Sequence, residues 1–409
     1  MNGNLKRYIL EGWDKTIRII TEDEAKKSKE GKLFLPYPYT VPCEKNTFQC
    51  MFYWDTYFAN RGLLLSGRSE IVANNLRNFI YLIDTYGFIP NGSRKTFLNR
   101  SQPPFFGLML RDYYNFTKDE ALLSEGLRAL KKELMFWDSR RKSPNGLNHY
   151  SCDDTPNVYI RAMEIYEART GIIRGGDREY LGKNVFAEAE SGWDFNGRFD
   201  GRCYEYNAVD LNSLLYFDEV FLSKHLQDDE RQIYADKAAV RKEKMIALMR
   251  GEDGIFYDYS YVTGKRGTLK SCASFFVQFI GLTDSDEGID DLLDVLELNY
   301  GLQATEPTEG NFQWGQDNGW ACLQLVACEA LIACKRMKDA TRIAKKYVSL
   351  VENCFEKTNR LWEKYNVRVG SNDAIGEYGT PEMLGWSAGV YQALKDFLET
   401  QASDIVENR

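Results

Sequence analysis

Apolar residues recur at helical spacing along nearly the whole chain: IVANNLRNFIYLIDTY (71–86), QPPFFGLMLRDYYNF (102–116), DEALLSEGLRALKKELMFW (119–137), VDLNSLLYFDEVFLSKH (209–225), DERQIYADKAAVRKEKMIALM (229–249), NGWACLQLVACEALIACK (318–335), ATRIAKKYVSLVENCFE (340–356) and EMLGWSAGVYQALKDFLET (382–400). Asp, Asn or Pro stands at their starts and Gly or basic residues at their stops, so the segments read as separate helices, about a dozen once weaker ones are counted. A segment rich in Tyr, Phe and Trp is often followed by a charged amphipathic one. An inner ring of buried helices wrapped by a solvated outer ring requires that alternation. Period-two alternation is rare, with short strands expected only near GIFYDYSYVTGKRGTLK (254–270). No low-complexity linker interrupts the chain and no repeat of fixed period is visible, so the pattern predicts a single all-α domain, either a toroid or a helical array.

Composition narrows the chemistry. The 409 residues carry a net charge of -8, which argues against a nucleic-acid partner held through phosphates. No apolar run approaches the roughly 20 residues that span a bilayer, and MNGNLKRYILEGWDKTI has no signal-peptide core. The expected location is therefore cytoplasmic, without a membrane partner. Nine cysteines, an odd number in no disulfide framework, agree with that expectation. Cys322, Cys328 and Cys334 recur every six residues, which winds them around a helix and gives no metal face. With only two histidines, His149 and His225, neither in a suggestive context, histidine-based hydrolysis and the usual zinc sites are disfavoured. Carboxylates remain as the available catalysts, and no cofactor or metal is expected.

Between the helices lie CMFYWDTYFANRG (50–62), GFIPNGSRKTFLNRSQPPFF (87–106), ESGWDFNGRFD (190–200), EGNFQWGQDNGW (309–320) and GSNDAIGEYGTPEMLGW (370–386). Each joins Gly or Asn to aromatics and to a carboxylate, amide or guanidinium. Loops converging on one end of a helical barrel would form a cleft suited to a hydroxyl-rich ligand, with aromatic faces for stacking and polar groups for the hydroxyls. In ESGWDFNGRF, Asp194 stands between Trp193 and Phe195. It is either a helix cap with bulky neighbours or a carboxyl whose apolar walls raise its pKa.

These segments resemble the trehalase family of glycoside hydrolases, whose fold is an (α/α)6 barrel. YWDTYF (53–58) looks like part of the family's first signature, and YLIDTYGFIPNGSRKTFLNRSQPPFF (81–106) is similar nearly throughout to its IDTYG…IPNG…RSQPP stretch. ESGWDFNGRF matches ESGWDFSSR, with VDLN (209–212) following as it does there. QWGQDNGW (313–320) is similar to QWD-x-P-x-GW, and GEYGTPEMLGWSAGV (376–390) to GEY…GFGWTNGV. The resemblance implies one (α/α)6 barrel catalytic domain over 1–409, led by an N-terminal helix and lead-in segment over about 1–45, with minor β-hairpins in its loops. It also implies an inverting α-glycosidase acting on a small carbohydrate, trehalose first. Asp194 is then the general acid and Glu377 the general base, with Glu382 as rival for the base. Trp54, Asp55, Asn91, Arg100, Gln102, Arg198, Trp314 and Trp320 are the implied sugar contacts.

The chain departs from the family where PCEKNTFQCMF (42–52) lacks the Gly-Gly-Arg-Phe arginine, where Gly315 replaces the QWD aspartate, and where SCDDTPNVYIRA (151–162) replaces Arg-Pro-Glu-Ser-Tyr, leaving Asp153, Asp154 and Arg161 as possible substitutes. A lost hydrogen-bond partner can change substrate preference by orders of magnitude. Another short α-linked disaccharide or a glycosyl-glycerate is therefore the alternative substrate, and a non-catalytic sugar-binding protein on the same fold is the alternative class.

Overall fold

The structure, a computed structural model, describes residues 3–310, 312–374, 376 and 378–407. Six segments form a closed inner ring, each packed on the next: Tyr53–Leu65, Phe106–Thr117, Val209–His225, the turn Cys272–Phe275 with Phe276–Phe279, Ala321–Ala333 and Gly385–Glu407, the last returning to the first. Outside them lie Ser69–Tyr86, Glu120–Arg140, Asp228–Met249, Ile289–Leu296, Met337–Thr358 and Gly3–Thr16. This is the (α/α)6 barrel, and the alternation in the sequence explains it. Tyr53–Leu65 and Ala321–Ala333 are apolar on nearly every face and buried on nearly every face. Met337–Thr358 buries one stripe only, through Ile343, Tyr347, Leu350 and Cys354 among others.

The ring closes through two glycines. A Cβ on Gly389 would lie 2.0 Å from the Phe58 carbonyl oxygen, and one on Gly62 would lie 2.6 Å from the Gly389 Cα. The first and last inner helices can approach this closely only without side chains at those positions. From the outside, Trp13 of helix Gly3–Thr16 covers the seam, its indole N–H donating to Gln392 Oε1 at 3.3 Å.

One local reading is corrected. The stretch 50–62, expected between helices, contains most of inner helix Tyr53–Leu65; its aromatics belong to the barrel wall because a helix buried all round carries no amphipathic signature. The paired helices Pro156–Thr170 and Arg178–Glu190 pack on each other and stand outside the ring. Strands are short, as expected near 254–270: Tyr259–Ser260 pairs antiparallel with Lys265–Arg266 and with Tyr206–Asn207. Asn318–Trp320 pairs with Lys364–Asn366, setting Trp320 opposite Lys364.

Candidate active site

Residues 191–199 turn back over one end of the ring after helix Arg178–Glu190. Gly192 has φ +74°, and a Cβ there would meet the Trp54 ring at 2.8 Å, so the loop lies directly on that indole. The two aromatics of the motif then diverge. Trp193 is fully buried and stacks on Trp314, centroids 5.3 Å apart and planes at 28°. Phe195, at φ +58°, turns away onto Tyr166, 5.8 Å and 20°. The half-buried Asp194 is left facing a cavity of about 300 Å³. Its carbonyl accepts from Gln313 Nε2 at 3.3 Å, and the Phe195 carbonyl accepts from the Trp314 N–H at 3.4 Å.

Trp54, Asp55, Asn91, Arg100, Gln102, Trp314 and Trp320 line the same cavity, so the structure brings most of the sequence-derived set together with Asp194. Its floor is indole: Trp314 and Trp320 stack at 3.7 Å and 4°, Trp54 lies 5.6 Å from Trp314, and Trp386 stands edge-on to Trp54 and Trp320. Gln102 Oε1 accepts the Trp54 backbone N–H at 3.2 Å. Asn91 Nδ2 donates to the Ser101 and Ala189 carbonyls, both at 3.2 Å, tying the RSQPP segment to the end of helix Arg178–Glu190.

Sequence reading missed Glu363, Tyr378, Trp386, Arg94 and the phenyl rings of Phe48, Phe52 and Phe97, all of which line the cavity. Phe48 and Phe52 come from the segment that lacks the family's arginine. Glu363 is placed by the strand that follows it. Its Oε2 accepts from Lys364 Nζ at 2.8 Å and its Oε1 from the Tyr378 hydroxyl at 2.9 Å. Lys364 is itself fully buried, 4.9 Å over Trp320 and 4.3 Å over Tyr378. The signal for Glu363 was available: in LWEKYN (361–366) two adjacent opposite charges interrupt an apolar run, and such pairs are buried only when partnered.

Three carboxyls thus line one cavity. Burial raises Asp194, opposed by the Lys364 and Arg100 charges. Burial is also the main cause of the rise at Glu363, against which Lys364 and the Tyr378 hydroxyl favour the carboxylate, while Asp194 adds to the rise. Asp55 is pushed up to about 8 by burial, with Glu363 and Asp194 contributing. Arg100 supplies a counterweight. Its Nε has no hydrogen-bond partner among the described residues, and its guanidinium lies over Phe97 and Phe186 with one donor on Asn99 Oδ1 at 2.8 Å. A carboxyl that burial pushes toward its protonated form, a second one paired with a cation and a phenol, and a guanidinium with spare donors offer an acid, a base and an anchor for hydroxyls.

Other expectations resolve differently. Arg198 does not line the cavity. Its guanidinium pairs with Asp258 through Nε at 2.6 Å and with Asp210 through Nη2 at 2.8 Å, all buried; the Nε and Nη2 donors are engaged by carboxylates that only the fold brings close. Glu382 is mostly exposed and pairs with Arg360 at 2.9 Å, away from Asp194. Glu377 lies outside the described residues. Asp153 pairs with Arg140 and Arg141, and Asp154 accepts from Asn99 Nδ2, while Arg161 is exposed. Glu190, the first residue of ESGWDF, is fully buried and accepts from Arg141 at 2.8 and 3.0 Å and from the backbone N–H groups of Ser101 and Ser151. It locks the acid loop to RSQPP.

Comparison with known proteins agrees with this architecture. The sequence pattern of the trehalase family matches residues 3–399. A periplasmic trehalase of Xanthomonas campestris is 32% identical over 94% of this chain and 72% of its own length, and one of Pseudomonas aeruginosa is 33% identical over 87% and 70%. Among solved structures, the neutral trehalase of Saccharomyces cerevisiae superposes with a TM-score of 0.76 at 24% identity, covering 91% of this chain and 76% of that one. A mannosylglycerate hydrolase of Thermus thermophilus superposes at 0.59 and 16% identity, covering 87% and 95%. These two likenesses speak to the fold.

The relatives' names overturn the expectation of a cytoplasmic location, since they point to the periplasm. The cysteine argument behind that expectation fails physically. All nine thiols are free and buried, and burial pushes Cys43, Cys50 and Cys152 up to about 12. A buried thiol that stays protonated does not exchange disulfides, so its presence does not report the compartment. Among the described residues no helix is long and apolar enough to cross a membrane. On the family match over nearly its whole length and the identity to curated relatives, the chain belongs to the trehalase family of glycoside hydrolases.

Proposed function

We propose that the protein hydrolyses trehalose with inversion, Asp194 acting as general acid and Glu363 as general base. The observation that carries this reading is that both carboxyls line one cavity floored by indoles and flanked by Arg100. The Asp194 carboxyl gives its proton to the glycosidic oxygen as the C–O bond breaks. Water adds to the anomeric carbon from the opposite face and gives its proton to Glu363. One glucose leaves with its α configuration intact and the other is formed as β. Burial favours the proton on Asp194, as a general acid requires; at Glu363 burial also favours the proton, and the Lys364–Tyr378 pair opposes it, which supports the carboxylate that a base requires. Glu377, expected as the base from the resemblance, remains the competing assignment.

Proton NMR of fresh digests tests the chemistry: α- and β-glucose should appear in equal initial amounts, and α alone would overturn inversion. Glu363→Gln and Glu377→Gln, compared with and without added azide, assign the base. The base variant should lose turnover and regain it as β-glucosyl azide formed from α-glucosyl fluoride. If that gain appears with Glu377→Gln and is absent with Glu363→Gln, the assignment passes to Glu377.

A further inference from the structure

We infer that Tyr166, on the helix pair outside the ring, is a positioning residue that aims Asp194 by clamping Phe195. The inference rests on Asp194 being the acid. Apart from the main core the protein has a second, small apolar cluster: Met163, Tyr166, Phe195 and Phe312, with Ile172 and Leu181 packed against it. It adds a second contact among three segments: the pair Pro156–Thr170 and Arg178–Glu190, the acid loop, and the segment that carries Trp314.

Phe195 needs such a clamp. A bulky side chain disfavours a φ of +58°, and such backbones persist where their surroundings over-determine them. Here the ring is stacked by Tyr166 and covered by the Arg169 guanidinium at 5.3 Å. On the other side of Asp194, Trp193 is fixed by Trp314. With both neighbours held and its own carbonyl tied to Gln313, Asp194 has its Cα–Cβ direction set. Release of Phe195 would let the acid swing while the indole floor and Arg100 stay in place, so proton donation suffers more than binding.

The test uses the intact protein with Tyr166→Leu, which removes the stack, and Tyr166→Phe, which keeps the ring. On trehalose, Tyr166→Leu should lower kcat by about tenfold or more while KM stays within about twofold, because small misplacements of a catalytic group are costly. Hydrolysis of α-glucosyl fluoride, whose leaving group needs little protonation, should fall much less, and Tyr166→Phe should recover most of the lost kcat. The thermal midpoint should fall modestly, since Tyr166 is buried in the cluster, but not in proportion to the loss in kcat. Met163→Ala, a milder opening of the same cluster, serves if Tyr166→Leu does not fold and should show the same split between substrates. Equal losses on both substrates, or an unchanged kcat in folded Tyr166→Leu, would overturn the clamp while leaving the acid assignment standing. Absence of trehalose turnover in the parent protein would instead sink the functional reading, and this inference with it.

Discussion

The Arg141–Glu190 pair and the cavity beside it hold buried charge in opposite ways. At Glu190, two guanidinium donors and two backbone N–H groups saturate one carboxylate. In the cavity, Asp55, Asp194 and Glu363 lie near Lys364, Tyr378 and Arg100 among the described residues, and all three are driven toward holding protons. A saturated pair fixes geometry; an under-saturated set can exchange protons with a substrate. A third group lies between these extremes. Glu133 is buried with Oε1 accepting from Tyr53, and neither oxygen of the neighbouring Asp218 has a hydrogen-bond partner among the described residues. That pair has the electrostatics of an active site without access to one.

The largest test of this contrast is Asp194→Asn, which should cost about ten thousandfold in kcat/KM on trehalose with an unchanged unfolding midpoint. Arg141→Met should do the reverse, costing about 3 kcal/mol of stability in denaturant titrations by leaving Glu190 buried without its cation. At the intermediate group, Asp218→Leu should stabilise by about 1–2 kcal/mol, because an unsatisfied carboxyl is replaced by an apolar side chain.

The pH dependence follows with a definite sign. Burial pushes Glu133 up to about 8 and Asp218 well above the usual carboxylate range, so between roughly pH 4.5 and 8 the folded state binds more protons than the unfolded one. Stability should therefore fall as pH rises through that window. Tyr53, Glu219 and Arg241, which also face the pair, keep their places in Asp218→Leu, whose stability profile should be flatter by urea titration. A smaller effect is expected at Lys364→Met. Removing the cation that lowers Glu363 and Asp194 should move both limbs of the activity profile to higher pH, and a profile that did not move would detach Lys364 from the acid and base. Glu382→Ala, which breaks an exposed pair, should change stability by less than about 0.5 kcal/mol and leave turnover as it was.

The same contrast explains what could be read from sequence. ESGWDF and IPNG…RSQPP keep their chemistry close together along the chain, and their residues reached the cavity. Arg198 could not be read correctly, because the carboxylate that engages it most closely, Asp258, lies 60 positions away and nothing in NGRFD predicts that pairing. Glu363 carried a local signal in its pairing with adjacent Lys364, but its second partner Tyr378 is 15 positions away and its orientation comes from a three-residue strand paired with Asn318–Trp320. Whereas the (α/α)6 barrel itself was implied by the family resemblance, the all-α character and the outer helices were legible because helix amphipathicity is a local property. The separate standing of the pair Pro156–Thr170 and Arg178–Glu190 was not, since a helix buries one face equally well against a ring or against a single neighbour.

The Gly62–Gly389 seam has a consequence for how the protein is made. Trp13 and Gln392, which seal it, are 379 positions apart, so the contacts that close the barrel are among the most distant in the chain and form late. During synthesis, Trp54 and Asp55 are in place long before Glu363 and Trp386 have been translated, and the first inner helix, apolar on nearly every face, has no final neighbour to pack against. A chaperone or a non-native helix contact has its best opportunity in that interval. Enlarging either glycine should therefore show first as aggregation during expression, before any change in the turnover of the molecules that do fold.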